Sequence, residues 1–375
     1  MEKIGVLTQY YNSANYGGLL QAYALVKVLN NYGMEAEQIS YNANNYIAID
    51  TTNSNKTKLR AFLSRFAQKI LRLWISNGVR RRYKKVAKFR SSIPHSKNVF
   101  FKNNIKESNQ CYDYFVVGSD QVWNPKDYDP IFFLSFVNQN KKKIAYAASI
   151  GQSQLTDNQC KIYKEHLISF DAISLRENNI SLIQSLVNIP VKWTLDPTLL
   201  LDKEDWDKVA AEQIFDQDYI FCYFLGKDRE LRKIAKEFAK RKKMCLVSMP
   251  HLTGAYQRCD SFFGDKKVID ASPEEFISLI KHAKYVLTDS FHASVFSIIY
   301  KKEFFIFERK EFKGMSSRIY SLLELFDGLS HFCDDIERRN VDYLLNTDSL
   351  DYSNVEKLNV MQIESKDFLL KAILK

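Results

Sequence analysis

The sequence lacks the cysteine patterns that would indicate a metal site or a disulfide framework. Its six cysteines, at positions 111, 160, 222, 245, 259 and 333, form no CxxC pair and no cluster with histidine. Zinc knuckles and disulfide-stapled domains both depend on such spacing. We therefore expect six reduced core cysteines and no bound metal.

Long apolar runs are also missing. No window of the sequence approaches the ~18 apolar residues that a transmembrane helix needs. The first residues lead directly into a short apolar strand, without the basic start, apolar stretch and cleavage site of a signal peptide. We therefore expect a cytoplasmic protein. The apolar share of 46%, with 14% aromatic residues, is ample for buried cores and excludes a disordered chain.

Acidic residues are absent from one segment, 51–90, which holds thirteen Lys/Arg and no Asp/Glu. The formal net charge of +10 is thus a local feature, and the rest of the chain is slightly acidic. Apolar residues recur here at helical spacing between basic ones, which predicts a cationic amphipathic helix. The apolar stripe is Leu59, Phe62, Leu63, Phe66, Ile70 and Leu73, flanked by Lys58, Arg65, Lys69 and Arg72.

The basic segment has three interpretations that stay open. The helix can dock its apolar stripe on the core and leave a solvated basic face, which is the more frequent outcome. It can instead make a peripheral contact, through 56–90, with the anionic inner face of a membrane, or hold a pyrophosphate-linked lipid. No nucleic-acid-binding motif accompanies the charge, and we expect no nucleic-acid partner.

What the chain does contain is an alternation of short apolar runs and helical patterns. Such alternation is typical of βαβ units and of an α/β fold with mainly parallel sheets. In the first half, strands are predicted at 3–8, 35–40, 114–117, 144–148, 172–175 and 191–195, with a helix at 17–31. The stretch from Asp196-Pro197-Thr198 to Asp205-Trp206 combines a proline with a run of charges, and we place the domain boundary there.

The second half repeats the alternation. Strands are predicted at 219–225, 244–248, 285–288 and 304–307, and helices at 229–241, 273–282, 292–300 and 317–326. Ser272-Pro273-Glu274-Glu275 predicts a helix start, with a serine cap, a proline in the first turn and a glutamate that bonds back to the cap. We therefore predict two Rossmann-like domains, 1–200 with the basic helical insertion 51–90 and 201–350, followed by a closing helix at 351–375.

His292 is the sharpest single candidate. Asp289-Ser290-Phe291-His292 must form a strand-to-helix turn, and such turns lie at the carboxyl edge of a parallel sheet, where open α/β folds bind ligands. The positive end of the helix dipole disfavours the protonated imidazole there, and a neutral ring can act as a base or polarise an oxygen. The alternative is that His292 merely helps Asp289 and Ser290 to cap the helix.

Two further turns are candidate ligand sites. Asn15-Tyr16-Gly17-Gly18 opens a helix after the first strand, so its free backbone N–H groups could receive an anion or sugar hydroxyls, although a purely conformational role explains the glycines as well. The segment 118–125 places Asp120, Gln121 and Trp123 after a buried strand. Carboxylate, amide and indole together suit a sugar, and the alternative is a capped turn with a half-buried tryptophan.

Two arginines complete the candidate set. Arg176 ends a predicted strand at the sheet's carboxyl edge, where a guanidinium suits a planar carboxylate or a phosphate. The alternative is a local ion pair with Glu177. The turn 313–318, which ends in Arg318, combines a glycine, two serines and a cation at a helix start and resembles a phosphate cradle. Surface capping explains its serines equally well.

Taken together, five short motifs occur in the order and spacing of the polysaccharide pyruvyl transferase family. They are Asn15-Tyr16-Gly17-Gly18-Leu19-Leu20-Gln21-Ala22-Tyr23, Val117-Gly118-Ser119-Asp120-Gln121-Val122-Trp123-Asn124, Ser174-Leu175-Arg176-Glu177, Leu195-Asp196-Pro197-Thr198 and Thr288-Asp289-Ser290-Phe291-His292. The resemblance runs from about residue 3 to residue 330. It implies two domains facing across a cleft, similar to glycosyltransferases of the GT-B type, with the substrate between them.

The resemblance also implies an activity. Such an enzyme moves the enolpyruvyl unit of phosphoenolpyruvate onto a sugar of a capsule or exopolysaccharide precursor, releasing phosphate and leaving a pyruvate ketal, with no cofactor besides this co-substrate. His292 matches the histidine regarded as catalytic in the family and is the candidate general acid/base, with Arg176 and Arg318 as anion clamps. The saccharide acceptor is often lipid-linked, and the basic insertion is a segment that could mark it.

One departure and two rival functions accompany the resemblance. The residue after the family's histidine is commonly glycine, and here it is Ala293, which is small enough to leave activity intact. The first rival is a GT-B-type glycosyltransferase that consumes a nucleotide sugar. The second is a non-catalytic sugar-phosphate or membrane-binding protein that keeps the fold.

Overall fold

The computed structural model describes residues 2–43, 77–251, 257–309, 316–353 and 355–374, and within these the chain forms two parallel sheets. The first has seven strands in the order β3-β2-β1-β4-β5-β6-β7, and every neighbouring pair is parallel. Its strands are Lys3–Leu7, Glu35–Tyr41, His95–Phe100, Tyr114–Val117, Lys142–Ala148, Ala172–Leu175 and Val191–Trp193, which are β1 to β7 in chain order.

The second sheet has six parallel strands in the order β10-β9-β8-β11-β12-β13. Its strands β8 to β13 are Tyr219–Tyr223, Cys245–Ser248, Lys266–Lys267, Tyr285–Thr288, Glu303–Phe307 and Phe332–Cys333. In both sheets the strand order reverses next to the first strand of the half, between β1 and β4 and between β8 and β11. Loops that leave such a reversal diverge to opposite faces and leave a crevice between them.

Helices cover the sheets. In chain order they are α1 (Tyr16–Asn31), α2 (77–92), α3 (Asp157–Leu167), α4 (Ser181–Gln184), α5 (Lys203–Asp207), α6 (Arg229–Lys242), α7 (Pro273–Lys281), α8 (Phe291–Ile299), α9 (Ser317–Glu324), α10 (Val341–Asn346) and α11 (Glu356–Leu374). None of the described helices is long and apolar enough to cross a membrane.

The predicted α/β architecture is confirmed, and so is the capped start of α7. The Ser272 hydroxyl accepts from the Glu275 N–H at 3.1 Å, and the Glu275 carboxylate accepts from the Ser272 N–H at 2.6 Å. Three strands were not predicted. β3 is an edge strand with mostly exposed polar side chains, and β10 and β13 have only two residues each, so none shows an apolar run.

The prediction that all six cysteines lie in the core is wrong. All six are free thiols, but only Cys222 and Cys333 are buried, and Cys111 is exposed. Cys111 follows the short helical turn Ile105–Gln110, on a surface connection between strands, so nothing covers it.

The C-terminal helix α11 packs on the first sheet. The Ser365 hydroxyl accepts from the Leu195 N–H at 2.9 Å, and the Phe368 ring lies 6.4 Å from that of Tyr146 on β5. The chain therefore returns to its N-terminal half after completing the second sheet. Helix α11 therefore links the end of the chain back to the first sheet.

The basic insertion is only partly described, because the predicted apolar stripe at 59–73 lies outside the described residues. The described part, α2, places its cations against the C-terminal half. Arg81 pairs with Asp270 at 2.6 Å, and Lys85 pairs with Glu275 at 2.7 Å. These contacts tie the insertion to the C-terminal half of the molecule.

Candidate active site

The candidate site lies where the two strand reversals face each other. From the N-terminal half, α1 begins after β1, and the loop 118–124 follows β4, so both lie at the first reversal. From the C-terminal half, α8 begins after β11, at the second reversal. Core packing continues across this junction, since α1 packs against α7 and α8.

The loop after β4 has an unusual backbone that aims its polar side chains at the junction. Gly118 has φ = +116°, and a Cβ there would lie 2.1 Å from the Tyr146 carbonyl oxygen, so only glycine fits. Asp120 has φ = +65°, in the left-handed region that costs most side chains energy. This loop thus turns the Asp120 carboxylate toward the end of β6.

At the end of β6, Arg176 lies between two carboxylates. Its Nη1 donates to Asp196 Oδ2 at 2.9 Å, and its Nη2 donates to Asp120 Oδ1 at 3.3 Å. Burial on its own would lower the pKa of Arg176, but Asp120, Asp196 and Glu177 raise it above its usual value. Arg176 is therefore a permanently charged, ion-paired residue at the centre of the site.

Asp196 is the residue on which the network converges. The carboxylate is 1% exposed, and it accepts from the Thr198 N–H at 3.0 Å and from the Thr198 hydroxyl at 2.7 Å. Burial alone would raise the pKa of Asp196, but His292, Arg176 and the Thr198 hydroxyl hold that pKa far below its usual range. Asp196 is therefore ionised throughout the physiological range.

His292 enters this network from the other half of the molecule. It lies in the first turn of α8, where the Ser290 hydroxyl accepts from the Ala293 N–H, and its Nε2 is 3.5 Å from Asp196 Oδ2. The opposite edge of the ring rests on Gly17, because a Cβ at Gly17 would lie 2.1 Å from His292 Nδ1. The imidazole is thus held between a carboxylate and a helix backbone.

Arg318, in the first turn of α9, is the second guanidinium at the junction. It is buried, and its guanidinium lies against the side-chain amide of Gln121. Burial together with Arg176 and Arg309 lowers the pKa of Arg318 to about 9. Both guanidiniums of the site lie close to the Phe291 ring, with the Arg176 carbon 4.6 Å and the Arg318 carbon 5.9 Å from its centre.

A further buried carboxylate, Glu177, lies next to Arg176. The Ser149 hydroxyl donates a short hydrogen bond to Glu177 Oε1. Glu177 Oε2 is buried and has no hydrogen-bond partner among the described residues, and the same is true of Arg318 Nε. Buried polar atoms without partners are costly, and at a site they mark positions where a ligand or a water completes the bonding.

The structure therefore brings six of the predicted residues into one cluster. They are Gly17, Asp120, Gln121, Arg176, His292 and Arg318. The remaining predicted residues support this cluster through contacts within the protein, and their substrate-binding role stays a prediction.

Three of these supporting residues belong to the N-terminal half. Asn15 is the N-cap of α1, accepting from the Gly17 N–H at 3.1 Å. Tyr16 is buried in the C-terminal half, where its ring stacks on Phe276. Trp123 is fully buried, and its indole N–H donates to the Phe132 carbonyl at 3.0 Å.

The other two, Asp289 and Ser290, shape the start of α8. Ser290 is its N-cap. Both Asp289 carboxylate oxygens accept backbone N–H bonds from the loop after β8, from Leu225 at 2.6 Å and from Gly226 at 2.8 Å. Burial raises the pKa of Asp289, although these bonds and Arg309 act against that rise.

Sequence reasoning placed Asp196 in a family motif and at the domain boundary but assigned its side chain no role. The available signal was an aspartate directly after a strand and before proline, at the same carboxyl edge as Arg176. No group of three or more His, Cys, Asp or Glu able to hold a metal exists among the described residues. The site is thus one of buried arginines, carboxylates and a histidine.

The fold and the site define the class of this protein. Two parallel α/β halves that face each other at their strand reversals form a GT-B fold, and solved structures of that fold superpose over the whole chain. UDP-N-acetylglucosamine 2-epimerase from Rickettsia bellii covers 100% of this chain and 96% of its own, with 12% identity and a TM-score of 0.55. The S. aureus MnaA–UDP structure covers 100% and 98%, with 11% identity and a TM-score of 0.54. At such low identity these likenesses define the fold alone.

The family follows from the sequence match. The model of the polysaccharide pyruvyl transferase family matches residues 15–311, which include every residue of the cluster except Arg318. The chain belongs to this family. A search of curated proteins gives no match.

Proposed function

We propose that this chain transfers the enolpyruvyl unit of phosphoenolpyruvate to two hydroxyls of a saccharide in a surface-polysaccharide precursor, forming a cyclic pyruvate ketal. Membership of the family supports a transferase that acts on a saccharide. The observation that carries the donor is the pair of buried guanidiniums, Arg176 and Arg318, which both lie close to the ring of Phe291, the residue before His292.

Arg318 supports the binding of a small dianion or trianion. No carboxylate forms an ion pair with it among the described residues, and its pKa is lowered to about 9 by burial and by the neighbouring cations Arg176 and Arg309. Asp120 and Glu177 offset only part of that lowering. A buried charge that lacks a paired counter-ion is costly, so a bound anion would reduce that cost. Phosphoenolpyruvate carries a carboxylate and a phosphate, and either group can pair with the planar guanidinium in a bidentate manner.

His292 and Asp196 support the proton transfers. Asp196 is ionised and lies 3.5 Å from His292 Nε2, so it orients the ring and stabilises the imidazolium that forms when His292 accepts a proton. His292 Nε2 is buried and has no hydrogen-bond partner among the described residues, so it is the nitrogen that would exchange a proton with a substrate hydroxyl beside Asp196. Asp196 touches His292 and is therefore a positioning residue.

The proposed reaction balances in two stages. A proton is added to the methylene carbon of the donor, which becomes a methyl group, and the first sugar hydroxyl attacks the electron-poor C2. The C2–O bond to phosphate then breaks, and the second hydroxyl bonds to C2 to close the ketal. The two hydroxyls lose two protons, of which one ends on the new methyl group and the other on the departing phosphate. In this scheme phosphoenolpyruvate is the sole co-substrate, with no metal and no other cofactor.

The setting of the reaction is part of the same proposal. We place the protein in the cytoplasm, where phosphoenolpyruvate is made, and we propose a lipid-linked saccharide as acceptor. Contact of 56–90 with the inner face of the membrane would bring the protein to such an acceptor. Sedimentation with anionic liposomes at low and high salt checks this contact, since electrostatic attachment weakens as salt rises.

The decisive experiment is a transfer assay. The protein is incubated with phosphoenolpyruvate and with saccharides from the surface polysaccharide of the organism that encodes it, and phosphate release and product mass are measured. Coupled release of phosphate and gain of a pyruvate ketal support the proposal. Consumption of a nucleotide sugar in place of phosphoenolpyruvate would identify a glycosyltransferase instead.

The variant His292→Ala serves as the catalytic control in this assay. We expect a loss of turnover of at least ~100-fold, the usual contribution of a general acid/base, with an unchanged circular dichroism spectrum. Wild-type rates in this variant would remove His292 from the mechanism.

A further inference from the structure

A cavity of about 760 Å³ lies on the N-terminal half, between α11 and the edge strand β7. Its floor is largely apolar and includes Ala172, Trp193, Phe368 and Ala372. Its rim is charged and carries Lys142, Lys192, Lys371, Asp171, Glu364 and Asp367, of which all but Lys142 are exposed. Cavities of 300–1,000 Å³ with an apolar or aromatic floor and a few polar groups are typical of ligand sites.

This cavity shares a wall with the candidate active site. Residues 192–194 line the cavity, and Trp193, Leu195 and Asp196 line the crevice between the two halves that also contains Arg176 and Arg318. Trp193 belongs to both spaces. Its indole N–H donates to the Arg176 carbonyl oxygen at 3.2 Å, so the ring is anchored directly to the catalytic network. The Trp193 ring is thus a point at which the cavity and the crevice adjoin.

The lining fits a saccharide. The C–H face of a sugar ring packs on an aromatic ring, which Trp193 and Phe368 offer, and sugar hydroxyls need both donors and acceptors at the rim. Lys192 supplies donors and Glu364 supplies acceptors, and neither has a hydrogen-bond or ion-pair partner among the described residues. A rim with both signs of charge does not select an anion, in contrast to the arginine-rich crevice.

We propose that this cavity is an acceptor subsite, which holds the sugar units adjacent to the one that receives the pyruvyl group. The subsite rests on the proposed function, because it assigns the catalytic crevice to the terminal sugar and the donor. It predicts that the protein prefers acceptors longer than one repeating unit. The added binding energy would come from sugar units that take no part in the chemistry.

The test places a tryptophan in the cavity and compares acceptors of two lengths. Ala372→Trp fills the space between α11 and β7, while Ile363→Trp, on an exposed position of the same helix outside the lining, is the matched control. The probes are single repeating units and longer fragments released from the organism's surface polysaccharide by partial hydrolysis. Steady-state kinetics give KM and kcat for each.

In the wild type and in Ile363→Trp we expect a KM for the long fragments roughly tenfold or more below that for the single unit, the size of one well-packed contact. Ala372→Trp should abolish this difference. Lys192→Ala, an exposed substitution that leaves the core intact, should reduce it. Equal preference for length in Ala372→Trp and in the wild type would overturn the subsite.

Binding without turnover separates this proposal from the proposed function. Calorimetric titration of the long fragments, with no donor present, should give binding to the wild type that Ala372→Trp loses. If the wild type binds these fragments through the cavity but releases no phosphate from phosphoenolpyruvate, the subsite stands and the proposed reaction fails. If the wild type turns over acceptors of all lengths equally and binds none more tightly, the subsite fails and the reaction stands.

Discussion

The contact between Gly17 and His292 leaves no room for a side chain at position 17. A Cβ there would lie 2.1 Å from Nδ1 and 2.4 Å from Cγ of the imidazole, and real Cβ atoms do not approach other atoms so closely. His292 would have to move, and Asp196, 3.5 Å from its other edge, blocks the direct way out. The glycine is therefore a condition for the observed position of the ring.

We predict that Gly17→Ala lowers kcat by roughly 100-fold or more, because misplacing a catalytic group has effects of that order. It should also lower the free energy of unfolding by about 1–3 kcal/mol through overpacking. In the His292→Ala background this loss of stability should largely disappear, because the clash requires the imidazole ring. Urea unfolding of the wild type, the two single variants and the double variant measures the coupling free energy between the two positions.

The neighbouring glycine gives the control for this double-mutant cycle. A Cβ at Gly18 would lie 3.5 Å from Asp120 Oδ2, an ordinary contact, so Gly18→Ala should be tolerated. If Gly17→Ala keeps full activity, or destabilises equally with and without the imidazole, the contact does not position His292.

Asp196 has a pH-dependent effect on stability. Its pKa lies far below the ~3.9 of an unfolded aspartate, because His292, Arg176 and Thr198 outweigh the opposing effect of burial. A carboxyl group whose pKa is lowered by folding stabilises the protein above its unfolded pKa. That contribution is therefore present at neutral pH and is lost progressively as the pH falls below about 4.

We predict that Asp196→Asn lowers the free energy of unfolding at pH 7 by about 3–5 kcal/mol, the usual cost of breaking a buried ion pair. The difference from wild type should shrink as the pH falls below about 4. Urea midpoints across a pH series measure it. Asp342→Asn, in an exposed pair with Arg241, is the control and should change stability by less than about 1 kcal/mol. A difference that stays constant down to acid pH would contradict the assignment.

At the scale of elements, the start of α8 depends on the preceding loop. Asp289 accepts two N–H bonds from the loop after β8 and so joins the turns that leave β8 and β11 on either side of the strand reversal. Ser290 then caps α8 and leaves His292 in the first turn. The loop after β8 therefore helps to position the His292 imidazole through its two hydrogen bonds to Asp289.

We predict that Asp289→Asn lowers kcat roughly tenfold or more and the free energy of unfolding by about 1–3 kcal/mol. The asparagine amide can accept only one of the two backbone N–H bonds that Asp289 accepts. Its NH₂ group then faces the other N–H, which loses its acceptor. Asn340→Ala, which removes the N-cap of α10, is the control. It should cost about 1 kcal/mol with no change in kcat. Equal kinetic effects in the two variants would show that lost stability alone is responsible.

At the scale of the whole molecule, the contact between Asp196 and His292 forms only when the two halves are in contact. Asp196 belongs to the N-terminal half and His292 to the C-terminal half. Tyr16 holds the halves together. Its ring stacks on Phe276 with centres 5.2 Å apart, its hydroxyl donates to the Ala271 carbonyl at 2.6 Å, and the Arg82 guanidinium lies 4.5 Å from its centre.

We predict that Tyr16→Ala loosens the contact between the halves while leaving each folded. Small-angle scattering should show a larger radius of gyration, circular dichroism should be unchanged, and kcat should fall because Asp196 and His292 no longer meet. Tyr163→Ala is the matched control, since Tyr163 is an equally buried tyrosine whose ring packs on Phe133 within the N-terminal half. A variant that stays compact and active would show that Tyr16 is dispensable for closure.

Local patterns predicted much of this architecture. The strands at 114–117, 172–175 and 285–288 have the predicted bounds, because each is a buried run between polar turns. His292 lies in the first turn of a helix as predicted, since the short connection after β11 leaves no other place for it. The two-residue strands β10 and β13 were not predicted, because they have no alternating apolar pattern of their own. They are strands because each pairs with a neighbouring strand.

By itself, the sequence determined the α/β class, the two halves, the family motifs and the identity of His292, Arg176 and Arg318 as candidates, because strand and helix periodicity and cap residues act over a few positions. Only the tertiary structure decided which of the candidates meet. Trp123 and Tyr16 are held in cores, Asp196 became the centre of the network, and Gly17 gained its role from a ring 275 residues away in sequence. These outcomes depend on how two sheets face each other, and long-range packing of that kind leaves no local pattern.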